Sequence, residues 1–367
     1  MKKILLGITG LTIGGAERVL VDIANQLKDE YDITIFTLYG NGEFEKELSK
    51  GITLKSLYSN SYNEMSKFKK LLISLRLLLC KKQIYNKYIG NEYDTEIAFL
   101  EGPITRLFSV KNNKTRKIVW VHNDIEKVFG NDLKSKIKKY YDKKIYNAYQ
   151  KIVFVSKDNL DKFKKQYKNI ETEKLEVIYN YINPNKIKEK AQQEIDLKVE
   201  STCLNIGIVA RLVKQKALDR LIDIHTSLIK EGYNHKIYII GDGEQKVELE
   251  GLIQKNNVQE SFILLGQKEN PYPYMNKMDA IALLSHYEGF GMVLIEAQIL
   301  GKYIIITDTA AREALQGYDY SKILPNTHEG IYEGLKEIIK KGINTENKQE
   351  EYKNQKILEE IKQLIER

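Results

Sequence analysis

Only two cysteines, Cys80 and Cys203, stand in 367 residues, far apart and each without a second cysteine nearby. That spacing argues against a structural zinc site or a redox pair and fits a reducing cytosol. Long apolar runs are equally scarce. The one such run in a helical context, Leu71 to Cys80, is too short to cross a bilayer and is flanked by Lys67, Lys69, Lys70, Lys81 and Lys82, so no transmembrane helix is expected. Met1-Lys2-Lys3 followed by Ile4 to Thr9 mimics a secretory leader, but Gly14-Gly15 and Glu17 interrupt it before any small-residue cleavage site; it reads as a first buried strand. Zinc-finger spacing, an RNP-like motif and a basic zipper are missing, which disfavours nucleic acid. Gly7, Gly10, Gly14 and Gly15 do not fall on G-x-G-x-x-G, and no acid clearly ends the second strand at ribose distance, which disfavours an oxidoreductase.

The length suits two cores of roughly 150 to 200 residues each. A net charge of +8 hides an asymmetry: residues 1–180 sum to +11 and the remainder to −3. Within the basic half, Lys134, Lys136, Lys138, Lys139, Lys143 and Lys144 alternate with Tyr140, Tyr141, Tyr146 and Tyr149 at helical spacing, and Lys162, Lys164 and Lys165 follow. Such a face suits an anionic membrane surface, because cations are drawn to the headgroups and tyrosines favour the interface. A solvated lysine face is the plain alternative.

Short apolar runs alternate with helical patterns along the whole chain, which predicts βαβ units and a parallel sheet in each half. In the first half, strands are expected at Lys3 to Thr9, Asp32 to Leu38, Glu96 to Leu100, Lys117 to Val121 and Lys151 to Val155. Helices are expected at about Gly15 to Lys28, Glu64 to Ile89, Asp132 to Gln150 and Asp158 to Tyr167. The hydrophilic stretch around Asn183-Pro184-Asn185 reads as a linker. The second half restarts with strands at Leu204 to Val209, Lys236 to Ile240, Ser261 to Leu265, Asp279 to Leu284 and Tyr303 to Thr307. The domain expectation is therefore residues 1–183, a linker at 184–200, residues 201–345, and a closing helix within 346–367 that docks back on the body through Ile357, Ile361, Leu364 and Ile365.

In open α/β sheets ligands bind beyond the carboxyl ends of the strands, so the residues there carry the chemistry. The most informative stretch runs from Ser285 to Gln298, where Glu288 and Glu296 are separated by seven residues around the Gly289-Phe290-Gly291 turn. From Met292 to Leu300 only Glu296 and Gln298 are polar, which predicts a mostly buried helix ended by Gly301. A buried carboxylate needs a partner, and a glycine-containing turn at a helix start bares backbone N–H groups toward an anion. The plain alternative is a glutamate paired with a structural Arg or Lys. Arg211 and Lys216 follow the first strand of the second half, and two cations there can neutralise a diphosphate leaving group without a metal. Gly14-Gly15 at a helix start permits close approach of a phosphate or sugar, or else marks a tight turn that needs glycine φ values. His122 ends a strand and is either functional or hydrogen-bonded in the core.

These residues resemble one family. Gly14-Gly15-Ala16-Glu17-Arg18-Val19-Leu20, Val121-His122-Asn123, Val177-Ile178-Tyr179-Asn180, Gly207 to Leu212, Ile240-Gly241-Asp242-Gly243-Glu244, Leu265-Gly266 and Glu288-x7-Glu296 are similar, in order, to retaining nucleotide-sugar-dependent glycosyltransferases of the GT-B fold, group 4. The resemblance implies two Rossmann-like parallel-sheet domains facing a central cleft. It implies that Arg211 and Lys216 bind the donor diphosphate, Glu296 the ribose, and Glu288 the hydroxyls of the donor sugar. Phe290, Gly291 and Met292 are implied near sugar and phosphates, Gly266 near the nucleobase, Gly14 and Gly15 over the diphosphate, and His122 at the reaction centre. Where the family has a glycine-rich turn before a glutamate, this chain has Thr309-Ala310-Ala311-Arg312-Glu313.

The implied reaction is metal-independent transfer of a hexose or N-acetylhexosamine, from a UDP-sugar foremost, with no cofactor. The acceptor is expected to be a lipid-linked saccharide of bacterial surface polysaccharide synthesis, reached from the cytoplasmic side of the cell membrane by a peripherally bound enzyme. A soluble sugar or protein acceptor is the alternative, and a catalytically silent GT-B partner subunit is the non-enzymatic one.

Overall fold

The computed structural model describes residues 1–62, 65–122, 141–343 and 354–367. The chain divides into one unit of Met1–Ile182 with Asn354–Arg367 and a second of Asn183–Lys353. Each is an α/β unit built on its own parallel sheet.

The first unit carries β1 (Lys3–Ile8), β2 (Asp32–Tyr39), β3 (Thr53–Tyr58), β4 (Thr95–Ala98), β5 (Arg116–Val121), β6 (Lys151–Phe154) and β7 (Leu175–Val177), in the order β3-β2-β1-β4-β5-β6-β7. Its described helices are α1 (Gly15–Leu27), α2 (Lys67–Leu79), α3 (Lys81–Tyr88), α4 (Pro103–Phe108) and α5 (Lys157–Gln166), and residues 141–147 are also helical. Central strands read as continuous apolar runs because helices cover both faces of a parallel sheet. Ile4, Leu5, Leu6 and Ile8 of β1 are buried accordingly.

The second unit carries β8 (Leu204–Val209), β9 (His235–Ile240), β10 (Phe262–Gly266), β11 (Ala280–Leu283), β12 (Tyr303–Thr307) and β13 (Ser321–Leu324), in the order β10-β9-β8-β11-β12-β13. Its helices are α6 (Pro184–Ala191), α7 (Leu218–Lys230), α8 (Lys246–Lys255), α9 (Tyr272–Lys277), α10 (Met292–Ile299) and α11 (His328–Lys341). The hydrophilic stretch at 184–200 thus opens with a helix, which Asn183 caps by accepting from the amides of Asn185 and Lys186. The last helix, α12 (Asn354–Glu366), belongs to the first unit and buries Ile357, Ile361, Leu364 and Ile365 there.

Two expectations change. The single helix expected over Glu64 to Ile89 is two, because at Cys80 the backbone leaves helical geometry (φ −112°, ψ 17°). The break lets α3 turn Ile84 and Tyr85 into the core, while most of α2's leucines stay outside. The tyrosines assigned to a membrane-facing stripe also divide. Tyr146 and Tyr149 are core residues, the first edge-on to Phe163 at 5.0 Å and the second donating to the Thr105 carbonyl at 2.5 Å, so only Tyr141 of the described three is exposed. Lys134, Lys136, Lys138, Lys139 and Tyr140 lie outside the described residues.

Each unit also holds a buried polar cluster. In the first, Lys117 on β5 donates to Glu96 on β4 at 2.7 Å, to the Phe108 carbonyl at 2.7 Å and to the Tyr85 hydroxyl at 3.1 Å, while that hydroxyl donates to Glu96. In the second, His235 Nδ1 lies 3.0 Å from the Tyr233 carbonyl, His225 Nδ1 lies 2.8 Å from His235 Nε2, and His225 Nε2 lies 2.8 Å from Ser261 Oγ. A carbonyl only accepts, so the network assigns the hydrogens in one sense: Ser261 O–H to His225, His225 N–H to His235, His235 N–H to the carbonyl. A proton added to His235 Nε2 would set N–H against N–H, and one added to His225 Nε2 would displace the Ser261 hydroxyl hydrogen, between two buried rings. Burial, aided by His235, pushes the His225 pKa down to about 3, and burial also lowers that of His235.

Below about pH 6.5 the unfolded chain takes up protons that these folded imidazoles refuse, so the stabilisation is complete above that pH and is lost as pH falls toward 3. The melting temperature of the second unit should therefore drop between pH 7 and pH 5, and His225→Gln, which keeps both hydrogen bonds without titrating, should flatten the drop. Thermal melts followed by circular dichroism at several pH values measure it; an unchanged slope in the variant would exclude the pair as the cause.

Candidate active site

The second sheet reverses its strand order between neighbours β8 and β11, with β9 and β10 on one side and β12 and β13 on the other. Chains leaving the carboxyl ends of two such strands diverge and open a crevice where ligands bind in this architecture. The residues singled out from the sequence follow those two strands: Ala210 to Lys216 after β8, and Ser285 to Gly291 after β11.

Lys216 Nζ lies 2.5 Å from Glu288 Oε1, and Ser285 Oγ donates to the same oxygen at 2.7 Å. The Lys216 side chain is 15% exposed and that of Glu288 9%, so both charges are largely withdrawn from water and each is the other's compensation. The partner of Glu288 is thus a residue assigned to the donor diphosphate. Backbone bonds fasten the two loops around the pair. The His286 amide donates to the Gln215 carbonyl at 2.9 Å, and Gln215 Nε2 donates to the Tyr287 carbonyl at 2.9 Å. Asn326 Nδ2 donates to the His286 carbonyl at 2.9 Å, Arg220 bonds the Leu284 carbonyl at 2.8 Å, and Thr307 Oγ1 bonds the Ser285 carbonyl at 2.8 Å.

Arg211, just after β8, is exposed, and its guanidinium makes no hydrogen bond or ion pair among the described residues, while its carbonyl accepts from the Val213 amide at 2.9 Å. It therefore presents a solvent-facing cation on the loop that carries Lys216. Beside it the Gly241-Asp242-Gly243 turn crosses the same loop backbone to backbone: the Leu212 amide donates to the Asp242 carbonyl at 3.0 Å, and a Cβ on Gly241 would stand 1.9 Å from the Ala210 carbonyl oxygen. Only glycine permits that crossing. The Gly241 amide donates in turn to the carbonyl of Gly266, which ends β10.

Gly291 has φ +75° and is the N-cap of α10, with no side chain capping its amides. The left-handed turn lets the chain pass from the buried Phe290 into the helix, whose N-terminal end favours negative charge through the helix dipole. Met292 begins the helix and is partly exposed. Glu296, also partly exposed, accepts from the Tyr272 hydroxyl of α9 at 3.1 Å, a second partner contributed from outside the helix.

The remaining candidates lie on the first unit. Gly14 is extended (φ −168°), a conformation open to any residue, so the tight-turn alternative does not hold. Its lack of a side chain matters for another reason: the Glu17 carboxylate occupies the place of a Cβ, 2.2 Å from it. Burial raises the Glu17 pKa, opposed by a bond to its own backbone amide. Gly15 starts α1 and is exposed. His122 follows β5 with its ring 4.8 Å from Phe99; its Nε2 is buried without a hydrogen-bond partner among the described residues, and burial pushes its pKa down to about 3, so the imidazole is neutral near pH 7.

Ser285, Gln215, Asn326 and Tyr272 were not anticipated as site residues. Ser285 is the first residue of the recognised stretch, but Asn326 and Tyr272 lie 38 and 16 positions from Glu288 and carry no local signal.

Two family descriptions match adjoining parts of the chain: Glycosyltransferase Family 4 over residues 13–186 and Glycosyl transferases group 1 over residues 189–359. An N-acetylgalactosamine-N,N'-diacetylbacillosaminyl-diphospho-undecaprenol 4-alpha-N-acetylgalactosaminyltransferase of Campylobacter jejuni is 30% identical over 346 residues, 92% of this chain and 90% of that protein. The capsular polysaccharide biosynthesis glycosyltransferase CapM of Staphylococcus aureus is 30% identical over 175 residues, 46% of this chain and 43% of its own. Among solved structures, Anabaena HepE in complex with UDP and glucose superposes over 100% of both chains with TM-score 0.76 at 18% identity.

Removing one partner of a shielded pair leaves a charge without compensation. Lys216→Met should cost about 2 to 3 kcal/mol, whereas Lys216→Met with Glu288→Gln should cost clearly less than the two single changes together. Chemical denaturation of the four proteins measures the coupling, and strict additivity would show that the pair does not act as one.

Proposed function

The chain belongs to the group 1, family 4 glycosyltransferases and has the GT-B fold, and from that premise we propose that it transfers a hexose or N-acetylhexosamine from a UDP-sugar to a lipid-linked saccharide, with retention at the anomeric carbon and without a metal. The observation that carries the reading is the Lys216–Glu288–Ser285 cluster at the switch point of the second sheet, beside the solvent-facing Arg211. A cation and a carboxylate in contact suit a ligand whose anionic diphosphate adjoins a hydroxyl-rich sugar: Lys216 and Arg211 take the phosphates, and Glu288 accepts from the sugar hydroxyls.

As the bond between the anomeric carbon and the phosphate oxygen breaks, negative charge gathers on the diphosphate. Arg211, Lys216 and the uncapped amides at the start of α10 are arranged to stabilise it. The acceptor hydroxyl approaches from the face of the departing diphosphate, and a phosphate oxygen takes its proton, so no protein base is needed. Glu296 is assigned to the ribose, Gly266 to the border of the nucleobase, Phe290, Gly291 and Met292 to sugar and phosphates, Gly14 and Gly15 to the diphosphate, and the neutral His122 to the transferred sugar.

Two likenesses support the finer points. HepE has been crystallised with UDP-glucose, and the name of the Campylobacter relative specifies a diphospho-undecaprenol-linked acceptor. The same names support a role in bacterial surface polysaccharide synthesis, which we place at the inner face of the cell membrane as part of the proposal. No helix among the described residues is long and apolar enough to cross a membrane.

Incubating the full chain with a panel of nucleotide sugars and a polyprenyl-diphosphate-linked saccharide, and measuring nucleotide diphosphate release, tests the proposal. Turnover with a UDP-sugar should persist in EDTA. Glu288→Gln should lower turnover at least about a hundredfold while UDP affinity stays within about threefold, and Arg211→Ala should weaken UDP binding about tenfold. Folded protein that binds no nucleotide sugar, or an unimpaired Glu288→Gln enzyme, would overturn it.

A further inference from the structure

Six large apolar side chains of α2 face solvent: Phe68, Leu71, Leu72, Leu75, Leu78 and Leu79, with Phe68 at 70%, Leu78 at 69% and Leu79 at 77% exposure. At about 100° per residue they fall within one arc of about 120°. The opposite side of the helix holds it to the protein through the buried Ile73 and through Leu77, which packs against the core of the first unit. Soluble proteins seldom leave so continuous an apolar surface uncovered. Among the described residues it stays exposed, because the break at Cys80 returns only α3 to the core.

The charges carried by α2 and the start of α3 have one sign. Lys69 and Arg76 fall together along one border of the arc, and α3 begins with Lys81 and Lys82, while α2 contains no acidic residue. Arg76 is held by the Tyr58 hydroxyl at 3.2 Å, and Lys70 stands 4.2 Å from the Tyr62 ring centroid, on the side away from the stripe. Thirteen residues span about 20 Å of helix, too little to cross a hydrocarbon layer of about 30 Å. An apolar arc bordered by cations on a short helix is the pattern of a segment lying in the plane of an anionic bilayer surface.

We infer that α2 is the membrane-docking element of this protein: its leucine and phenylalanine face enters the headgroup boundary of anionic lipid, and Lys69, Arg76, Lys81 and Lys82 bind the headgroups. The inference deepens the proposed transfer to a lipid-linked acceptor and takes its purpose from that reading, but its physical content is separate. It also moves membrane contact from the tyrosines at 146 and 149, which are buried, to a surface that is apolar and open.

Flotation of the full chain with phosphatidylglycerol-containing and pure phosphatidylcholine vesicles tests it, with Leu75→Glu/Leu78→Glu as the variant; both side chains are already in solvent, so the fold should be unaffected. The wild type should float with the anionic vesicles, less so in high salt, and the variant should partition at least about tenfold more weakly at unchanged melting temperature and UDP affinity. Equal flotation of both proteins would overturn the inference. So would a wild type that binds no vesicle, or a concentration-dependent dimer abolished by the variant, which would make the stripe an interface between copies. Loss of sugar transfer with flotation intact would instead count against the proposed function alone.

Discussion

The contact between Lys216 and Glu288 joins loops 72 positions apart in sequence. Neither side chain is well solvated, so each charge depends on the other, and the loops that carry them are fixed to one another by the His286 amide on the Gln215 carbonyl and by the Gln215 side chain on the Tyr287 carbonyl. Parallel pairing of β8 with β11 makes this possible by bringing two distant carboxyl ends together. Preorganisation is the result: the proposed donor site holds its cation and its carboxylate already in place, rather than as groups that must be gathered at a cost in entropy.

Much of this was legible in the sequence, for a physical reason. Central strands of a parallel sheet are apolar on both faces, and the central strands of both sheets stood out as apolar runs. The three strands that escaped notice, β3, β7 and β13, all lie at sheet edges. Their residues are largely half-exposed, so they lack the continuous run that marks a buried strand. The helix after Gly291 was legible because its apolar stretch is interrupted only by Glu296 and Gln298. What supports the site was not: Tyr272 and Asn326 come from elements whose local sequence gives no hint of where they point.

The tyrosines after residue 140 show the limit of reading a pattern without its packing. Lysine and tyrosine alternating at helical spacing look alike whether the rings face lipid or core, and Tyr146 and Tyr149 turned inward because Phe163 and the Thr105 carbonyl offered an aromatic edge and a hydrogen-bond acceptor. The leucines of α2 are the converse case. A run that seemed merely too short to span a bilayer is short and outward-facing, which are separate properties, and only the second is invisible in composition.

The last helix, α12, completes the unit that the first residues begin. Asn354 accepts from the Ile182 amide at 3.2 Å, and Lys362 reaches Glu30 at 2.8 Å, across more than three hundred positions. During synthesis residues 183–353 therefore emerge whole, with every strand of their own sheet, before the first unit has its final element. Until α12 is made, the surface of the first unit that takes Ile357, Ile361 and Leu364 stays open to water. The ordering makes α12 the element that completes the first unit, and puts the risk of aggregation during translation on the part synthesised first.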